Sequence, residues 1–277
     1  MKILFLTMNE SCYESKRLQE EMQKKGILFL AVKPEEFHEE LNEFNAVLIR
    51  SIQGQTKKAK EIASKAVKQG LAVVDEKIGK DLGGTKYRNH LLFEKAGIPV
   101  PKTFLLPKAL RKLNEFKSKE LVIKPVAGKQ GKGVLKIRNS KTELENFIKK
   151  IPIEKRKKFM VSEFLKIEKE FRAFIIGENI AGAFEKISDS WIHNVSQGAE
   201  AKEVKLSKEA EMLALNSACA VFNEISGVDI AQTKKGLFVL EANRAPGFEG
   251  LEKATGKNIA KEIIEYLEKK TKINLSV

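Results

Sequence analysis

Short apolar runs alternate with amphipathic segments in the N-terminal third of the chain. Four runs predict buried strands, at 2–8, 27–31, 46–50 and 71–74. Apolar residues at helical spacing predict helices at 14–25 and 56–69, each followed by a glycine. Strands that alternate with helices are typical of a parallel α/β layer. We expect this domain to span 1–97, because a helix near 85–96 is followed by an extended Ile-Pro-Val-Pro segment at 98–101.

Beyond residue 97 the apolar pattern changes to strands that follow one another closely. Strands are predicted at 121–125, 134–138, 159–165, 170–176, 179–187, 228–233 and 237–243. Helices are predicted near 108–117, 140–150, 207–224 and 256–269. Adjacent strands joined by short turns are typical of antiparallel sheets, so we expect an α+β region divided into 98–165 and 166–277. The whole chain is therefore predicted to be α/β plus α+β.

The chain is strongly basic, with 51 Lys and Arg residues against 37 Asp and Glu and a formal net charge of +14. Only eight of the basic residues are arginines, and the lysines are spread along the whole chain. Nucleic-acid binders concentrate positive charge on one face and interleave aromatic residues that stack on bases. We therefore favour an anionic substrate and do not expect a nucleic-acid partner; salt-sensitive nucleic-acid binding is the alternative.

Cysteine usage and hydropathy indicate a reducing compartment. Cys12 and Cys219 are far apart and form no metal-binding pair, and the apolar run around Cys219 places it in the predicted core. The apolar start of the chain, residues 1–8, is interrupted too early for a signal peptide. No stretch approaches the roughly 18 apolar residues of a membrane span. We expect a cytoplasmic protein that does not associate with membranes.

A glycine-rich segment, GKQGKG at 128–133, joins two predicted strands. A Walker loop and a dinucleotide-binding fingerprint both require a helix after the glycines, whereas here a strand begins at Val134. The segment predicts a hairpin whose backbone amides can close over a polyphosphate. Lys124 on the entering strand and Lys86, just before a helix, offer positive charge to the phosphates. Taken alone, the segment would favour a surface turn.

The last predicted hairpin carries the most informative polar side chains. If a three-residue loop of two lysines and a glycine closes it, Thr233 pairs with Leu237 and Asp229 lies opposite Glu241. Asn243 shares the face of Glu241, because side-chain direction alternates along a strand. Facing acids repel each other, and three oxygen ligands suit Mg²⁺ or Mn²⁺ better than zinc. The alternative is a solvated strand end with two unrelated acids.

Taken in order, these motifs resemble the ATP-grasp superfamily, and specifically its ribosomal-protein glutamate ligase (RimK) branch. The resemblance rests on residues 124–134, 162–165, 170–172, 227–229 and 241–256. It extends to residues 1–85, which resemble the α/β domain that precedes the grasp. The implied fold is a Rossmann-like pre-ATP-grasp domain at 1–97, followed by a two-subdomain ATP-grasp fold. The central subdomain with the glycine loop would span 98–165, and the C-terminal subdomain 166–277.

The resemblance implies that ATP lies between the two subdomains. The residues implied to bind it are Lys86, Lys124, Gly128, Gln130, Gly131, Gly133, Glu163, Phe164, Leu165 and Glu170. The two lysines would contact the phosphates, and Glu163 with its neighbouring backbone would hold the adenosine. Asp229, Glu241 and Asn243 would carry two Mg²⁺ ions. Catalytic roles fall on Lys124, on Arg172, which would steady the transferred phosphoryl group, and on Arg244 at the acceptor end.

The implied activity is ATP-dependent ligation of a carboxylate to an amine. A carboxylate is a poor acyl donor, so it is first phosphorylated, and the amine then attacks the acyl phosphate. The implied partners are a small-molecule or protein carboxylate and an amine such as an amino acid. A homo-oligomer is also compatible with the resemblance.

The chain departs from the RimK branch in the segment after its central strands. Two arginines of that branch are replaced by Ile192 and Gln197. If those arginines hold an amino-acid carboxylate, the identity of the amine stays open. The alternative function is an ATP-binding regulatory or scaffold module that has lost its ligase chemistry.

Overall fold

Three β-sheets organise the computed structural model, which describes residues 1–52, 56–80, 84–127, 133–187 and 200–275. The first sheet is parallel, in the order β2-β1-β3-β4. Its strands are β1 (Lys2–Leu6), β2 (Leu28–Val32), β3 (Ala46–Ile49) and β4 (Ala72–Val74), and its helices are α1 (Tyr13–Lys24) and α2 (Thr56–Lys68). The strand and helix pattern predicted for this region is confirmed.

The second sheet is antiparallel, in the order β5-β8-β6-β7. Helix α3 (Lys86–Lys95) precedes it. The sheet comprises β5 (Thr103–Leu105), β6 (Glu120–Pro125), β7 (Leu135–Arg138) and β8 (Phe159–Glu163), with helices α4 (Leu106–Ala109) and α5 (Lys141–Lys149). The helix predicted near 108–117 is wrong, because α4 is a single turn, with a proline in its first turn, that ends at Ala109. Strand β5 was not predicted, since three residues next to a proline give no periodic signal.

The third sheet is antiparallel, in the order β11-β10-β9-β12-β13. Its strands are β9 (Lys169–Ile176), β10 (Asn179–Ile187), β11 (Glu200–Glu203), β12 (Ile225–Thr233) and β13 (Gly236–Arg244). The helices that follow or cover it are α6 (Lys208–Ala220), α7 (Glu249–Thr255) and α8 (Ile259–Leu275). The predicted single helix at 256–269 is wrong at its start: Gly256 ends α7 in the left-handed conformation, and α8 begins three residues later. Short 3₁₀ helices lie at Pro34–Glu36, Leu41–Glu43, Glu76–Ile78, Leu113–Glu115 and Ile153–Lys158.

A β-bulge corrects the register of the last hairpin. Thr233 pairs with Gly236, so the loop has two residues and the predicted pairing of Thr233 with Leu237 is wrong. The register then shifts by one residue between Asp229 and Ile230. That shift restores the pairing of Asp229 with Glu241, which is confirmed.

The parallel sheet and the third sheet share one hydrophobic core. Ile3 and Phe5 of β1 belong to the same buried cluster as Phe174 of β9, Ile263 of α8 and Phe248, which lies just before α7. The second sheet has a core of its own, formed by residues between 104 and 161. The described part of the chain therefore consists of two packed bodies, with the second sheet as the separate one.

Cys219 is exposed on α6, so its predicted core position is wrong. Its neighbours Ala214, Ser217 and Ala218 are buried. Their spacing of three to four residues is that of one helix face, and Cys219 falls on the other. No helix among the described residues is long and apolar enough to cross a membrane.

Two glycines with positive φ give a matched test of the third sheet's packing. Gly177 (φ 60) lies in the β9–β10 turn, where an added Cβ would lie 2.7 Å from the Tyr266 ring; at Gly26 (φ 64) the Cβ would meet nothing within 4 Å. We expect Gly26→Ala to lower the free energy of unfolding by about 1–2 kcal/mol through backbone strain alone. Gly177→Ala should cost about 1–3 kcal/mol more, because overpacking is added. Urea unfolding followed by circular dichroism measures both, and equal losses would show that the ring moves aside freely.

Candidate active site

A small cavity lies where α3, the second sheet and β13 meet. Lys86 of α3, Lys124 of β6, Met160 of β8, and Glu241 and Asn243 of β13 are among its lining residues. The predicted phosphate-binding lysines and two of the predicted metal ligands are thus brought together, although they come from distant parts of the sequence.

Lys86 is held directly against Glu241. Its backbone N–H donates to the carbonyl of Val126, which fixes the start of α3 beside the end of β6. Its Nζ lies 2.6 Å from Glu241 Oε2, and Asn243 Nδ2 donates to Glu241 Oε1 over 2.7 Å. Burial favours the neutral acid, but the charge of Lys86 and these hydrogen bonds hold the pKa of Glu241 below its ordinary value. Glu241 is therefore ionised.

Burial destabilises the protonated form of Lys124. Burial lowers its pKa to about 8, Glu241 counteracts this shift, and the positive charge of Lys86 adds to it. The cavity thus holds two ammonium groups and one carboxylate. Any polyanion that enters it meets an excess of positive charge, and would favour the protonated form of Lys124.

Asp229 lies opposite Glu241 and is paired with two cations. Arg172 Nε and Nη2 donate to its two carboxylate oxygens over 2.6 and 2.7 Å. Lys186 Nζ lies 2.9 Å from Asp229 Oδ2. Burial favours the neutral acid, yet Arg172 and then Lys186 hold the pKa of Asp229 at about 2.

Lys186 is a site residue that the sequence did not reveal. It is buried and also bonds Glu170 Oε1 over 2.6 Å. Burial raises the pKa of Glu170 to about 7, Lys186 counteracts the rise, and Asp229 adds to it. A β-bulge in β10, between Ile180 and Gly182, moves Lys186 to the position opposite Glu170. Without the bulge Glu185 would occupy that position, and no short sequence signal marks the difference.

The donor set fits a hard divalent cation at Glu241 and Asn243. No group of three or more His, Cys, Asp or Glu side chains within the described ranges could hold a metal ion. The predicted set instead combines two ionised carboxylates with one amide, which is oxygen chemistry that suits Mg²⁺. Asp229 Oδ2 already accepts from both Arg172 and Lys186, whereas Oδ1 accepts only from Arg172, so a bound metal would use the second lone pair of Oδ1.

The residues predicted to hold adenosine lie at the end of β8. Glu163 Oε1 accepts hydrogen bonds from the backbone N–H groups of Lys117 and Ser118. Phe164 donates its N–H to the carbonyl of Glu120, and the Lys136 ammonium lies 4.5 Å from the centre of its ring. Leu165 follows, half-buried. These contacts hold the strand end in place, and its role towards a nucleotide stays a prediction.

Several predicted residues lie outside the described ranges. They are Gly128, Gln130 and Gly131 of the glycine segment, and Ile192 and Gln197 of the segment that departs from the RimK branch. Gly133 is described, with a φ of 75 that favours glycine. Arg244 points to the end of the parallel sheet, where its Nη1 lies 3.8 Å from Asp75 Oδ2.

Comparison with known sequences identifies the region that carries these residues. A family model described as a RimK-like ATP-grasp domain matches residues 84–267. A protein named probable alpha-L-glutamate ligase from Legionella pneumophila is 31% identical over 294 residues, with 98% of this chain and 97% of the relative covered.

Solved structures share the fold. ATP-grasp ligase PsnB, in complex with a phosphomimetic variant of its minimal precursor, Mg and ADP, has a TM-score of 0.75 at 18% identity and covers 98% of each chain. D-cycloserine synthetase DcsG has a TM-score of 0.72 at 16% identity, covering 98% of this chain and 100% of its own. Both show that the arrangement of sheets is a mixed α/β ATP-grasp fold.

The buried pairing of Lys186 can be tested against an exposed pair on the same strands. Lys186→Met leaves Glu170 and Asp229 without their shared cation, and breaking a buried pair costs about 3–5 kcal/mol of unfolding free energy. Lys169→Met removes a partly exposed pair with Glu185, at 3.9 Å, and should cost about 0–1 kcal/mol. Chemical unfolding of both variants measures the difference. Similar losses would mean that the buried network contributes no more than a surface ion pair.

Proposed function

This chain belongs to the RimK-like ATP-grasp family and is a ligase that forms C–N bonds with ATP; we propose that it does so through an acyl phosphate. One carboxylate substrate is phosphorylated by ATP, and an amine then displaces the phosphate to give an amide, ADP and phosphate. The observation that carries the proposal is the cavity in which Lys86, Lys124, Glu241 and Asn243 meet. Phosphate-binding cations and metal-binding oxygens in one place are what phosphoryl transfer requires.

Lys86 and Lys124 bind the phosphates in this proposal. Lys86 exchanges its contact with Glu241 for one with a phosphate oxygen. Lys124, whose pKa is about 8 without nucleotide, is held protonated by the negative charge of the phosphates. The glycine-rich segment 128–133, of which 128–132 lie outside the described ranges, is assigned the role of excluding water, which would otherwise hydrolyse the acyl phosphate.

Glu241, Asn243 and Asp229 hold Mg²⁺ or Mn²⁺ in this proposal. A divalent ion held by these residues would supply positive charge that offsets the charge developing on the phosphates. Arg172, fixed by two hydrogen bonds to Asp229, steadies the transferred phosphoryl group. Glu170 stays fixed through Lys186 and completes the nucleotide side of the site.

The remaining assignments concern architecture and substrates. We infer a Rossmann-like pre-ATP-grasp domain at 1–97, a central subdomain at 98–165 and a C-terminal subdomain at 166–277. Glu163, Phe164 and Leu165 hold the adenosine. The amine is an α-amino acid, with L-glutamate as the first candidate because the name of the Legionella relative contains it. The carboxylate belongs to a small molecule or a protein. The chain works in the cytoplasm, and a homo-oligomer is compatible with its proposed activity.

Substitution of one carboxylate and one cation tests the mechanism. Glu241→Gln keeps size but removes charge, and Lys124→Ala removes a phosphate contact; each should lower ADP formation by about 100-fold or more. EDTA should abolish ADP formation in the wild type, and added Mg²⁺ should restore it. The assay is ADP release across a panel of carboxylate and amine pairs, with mass spectrometry of the product.

Glu178→Gln is the matched control, because Glu178 is exposed, and it should leave ADP release unchanged. Wild-type turnover by either active-site variant would contradict the mechanism. A wild type that binds Mg·ATP tightly, yet releases no ADP with any pair, would support the alternative of a regulatory module.

A further inference from the structure

Two arginine side chains at the end of the parallel sheet carry buried nitrogen atoms without partners. Arg50 follows the carboxyl end of β3 and is only 3% exposed. Its Nη1, and Nη1 of Arg244 at the end of β13, are buried and have no hydrogen-bond partner within the part of the chain that the structure describes. Buried donors are almost always paired, so this pair needs an explanation.

Arg50 is fixed in position by the turn that follows β13. Its Nη2 donates to the carbonyl of Pro246 over 2.6 Å, and its guanidinium lies 5.5 Å from the centre of the Phe248 ring. Pro246 is two residues after Arg244, so Arg50 is bonded to the turn that follows Arg244. The free nitrogen of Arg50 is therefore held in place rather than swinging between partners.

The acids near this turn bind other groups. Asp75 Oδ1 accepts hydrogen bonds from the backbone N–H groups of Glu224 and Ile225. Its Oδ2 lies 3.8 Å from Arg244 Nη1, which is too far for a hydrogen bond. Glu14 Oε1 accepts from the N–H of Phe248. Neither acid satisfies the two free nitrogen atoms.

The electrostatics agree with a shared site for a single negative charge. Burial lowers the pKa of Arg50 to about 10; Glu14 and Asp75 counteract the shift, and the positive charge of Arg244 adds to it. The side chain of Arg244 is 23% exposed, so it is the partly accessible member of the pair.

We propose that Arg50 and Arg244 bind the carboxylate of the amino acid that serves as the amine substrate, and so select for amines that carry one. This proposal rests on the proposed function. Guanidinium groups present parallel donors that match a carboxylate. A phosphate fits less well, because Glu14 and Asp75 lie nearby and repel a second negative charge. The two lysines proposed to bind phosphate, Lys86 and Lys124, lie in the cavity beside Glu241.

The test compares an amino acid with its uncharged amide. Thermal unfolding midpoints are measured in the presence of Mg·ADP with increasing L-glutamate, L-isoglutamine, in which the α-carboxylate is an amide, or inorganic phosphate. Each concentration series gives an apparent dissociation constant. For the wild type we expect L-glutamate to bind about tenfold or more tightly than L-isoglutamine, because a hydrogen-bonded charge is lost.

Three variants locate the preference. Arg244→Met should bring the two ligands to within about twofold of each other, since a charge-assisted contact is removed. Arg50→Lys should do the same, because the charge is kept but the paired donors are lost. Arg111→Met, at an exposed arginine of the second sheet's body, should behave as the wild type. If Arg50→Lys does not unfold cooperatively, Arg244→Met still decides, since its side chain is partly exposed.

Several outcomes would overturn the proposal. The first is that L-glutamate does not change the unfolding midpoint of the wild type, and the second is that L-glutamate and L-isoglutamine bind it equally well. The third is that the preference for L-glutamate survives Arg244→Met. The fourth is that phosphate raises the midpoint more than L-glutamate does, in a way that depends on Arg244. The last would assign the pair to phosphate. If Mg·ADP stabilises the wild type and L-glutamate does not, only this inference fails. If Mg·ADP has no effect, the proposed function itself fails.

Discussion

Repulsion between two facing carboxylates is the constraint on which the site depends. Asp229 and Glu241 pair across β12 and β13, and burial makes their charges costly. Each acid is paired with its own cations: Asp229 with Arg172 and the buried Lys186, and Glu241 with Lys86. These cations come from three different elements. The acid pair therefore ties α3, β9 and β10 to the strand that carries the proposed metal ligands.

The sequence predicted the pairing of Asp229 with Glu241 because strand periodicity is insensitive to some errors. The loop of the last hairpin was predicted one residue too long, and an unforeseen bulge then added one residue back. Asp229 therefore faces Glu241 as expected, for reasons that differ from the prediction. In β10 a bulge had the opposite effect. It replaced Glu185 by Lys186 in the position facing Glu170, so the charge that neutralises this part of the site could not be predicted.

Most elements could be predicted where apolar periodicity is long and ended by glycine, as in the parallel sheet. Two short elements near prolines could not: β5 has three residues, and α4 has four. Strand β4, also three residues long, was predicted because all of its residues are apolar. Arg50 was also beyond prediction, because its role depends on the carbonyl of Pro246, 196 residues away. Contacts at such separation follow from how layers stack, and no local pattern encodes them.

The division of the apolar interior has a mechanical consequence for how ligands enter. The second sheet keeps its own interior, while the parallel sheet is fused to the third through residues such as Phe5 and Phe174. Widening the crevice between Lys124 and Glu241 separates the two bodies without opening either interior. Separating the parallel sheet from the third sheet, by contrast, would expose their shared apolar residues to water. The N-terminal layer and the third sheet therefore share one interior, which a displacement of the second sheet would leave covered.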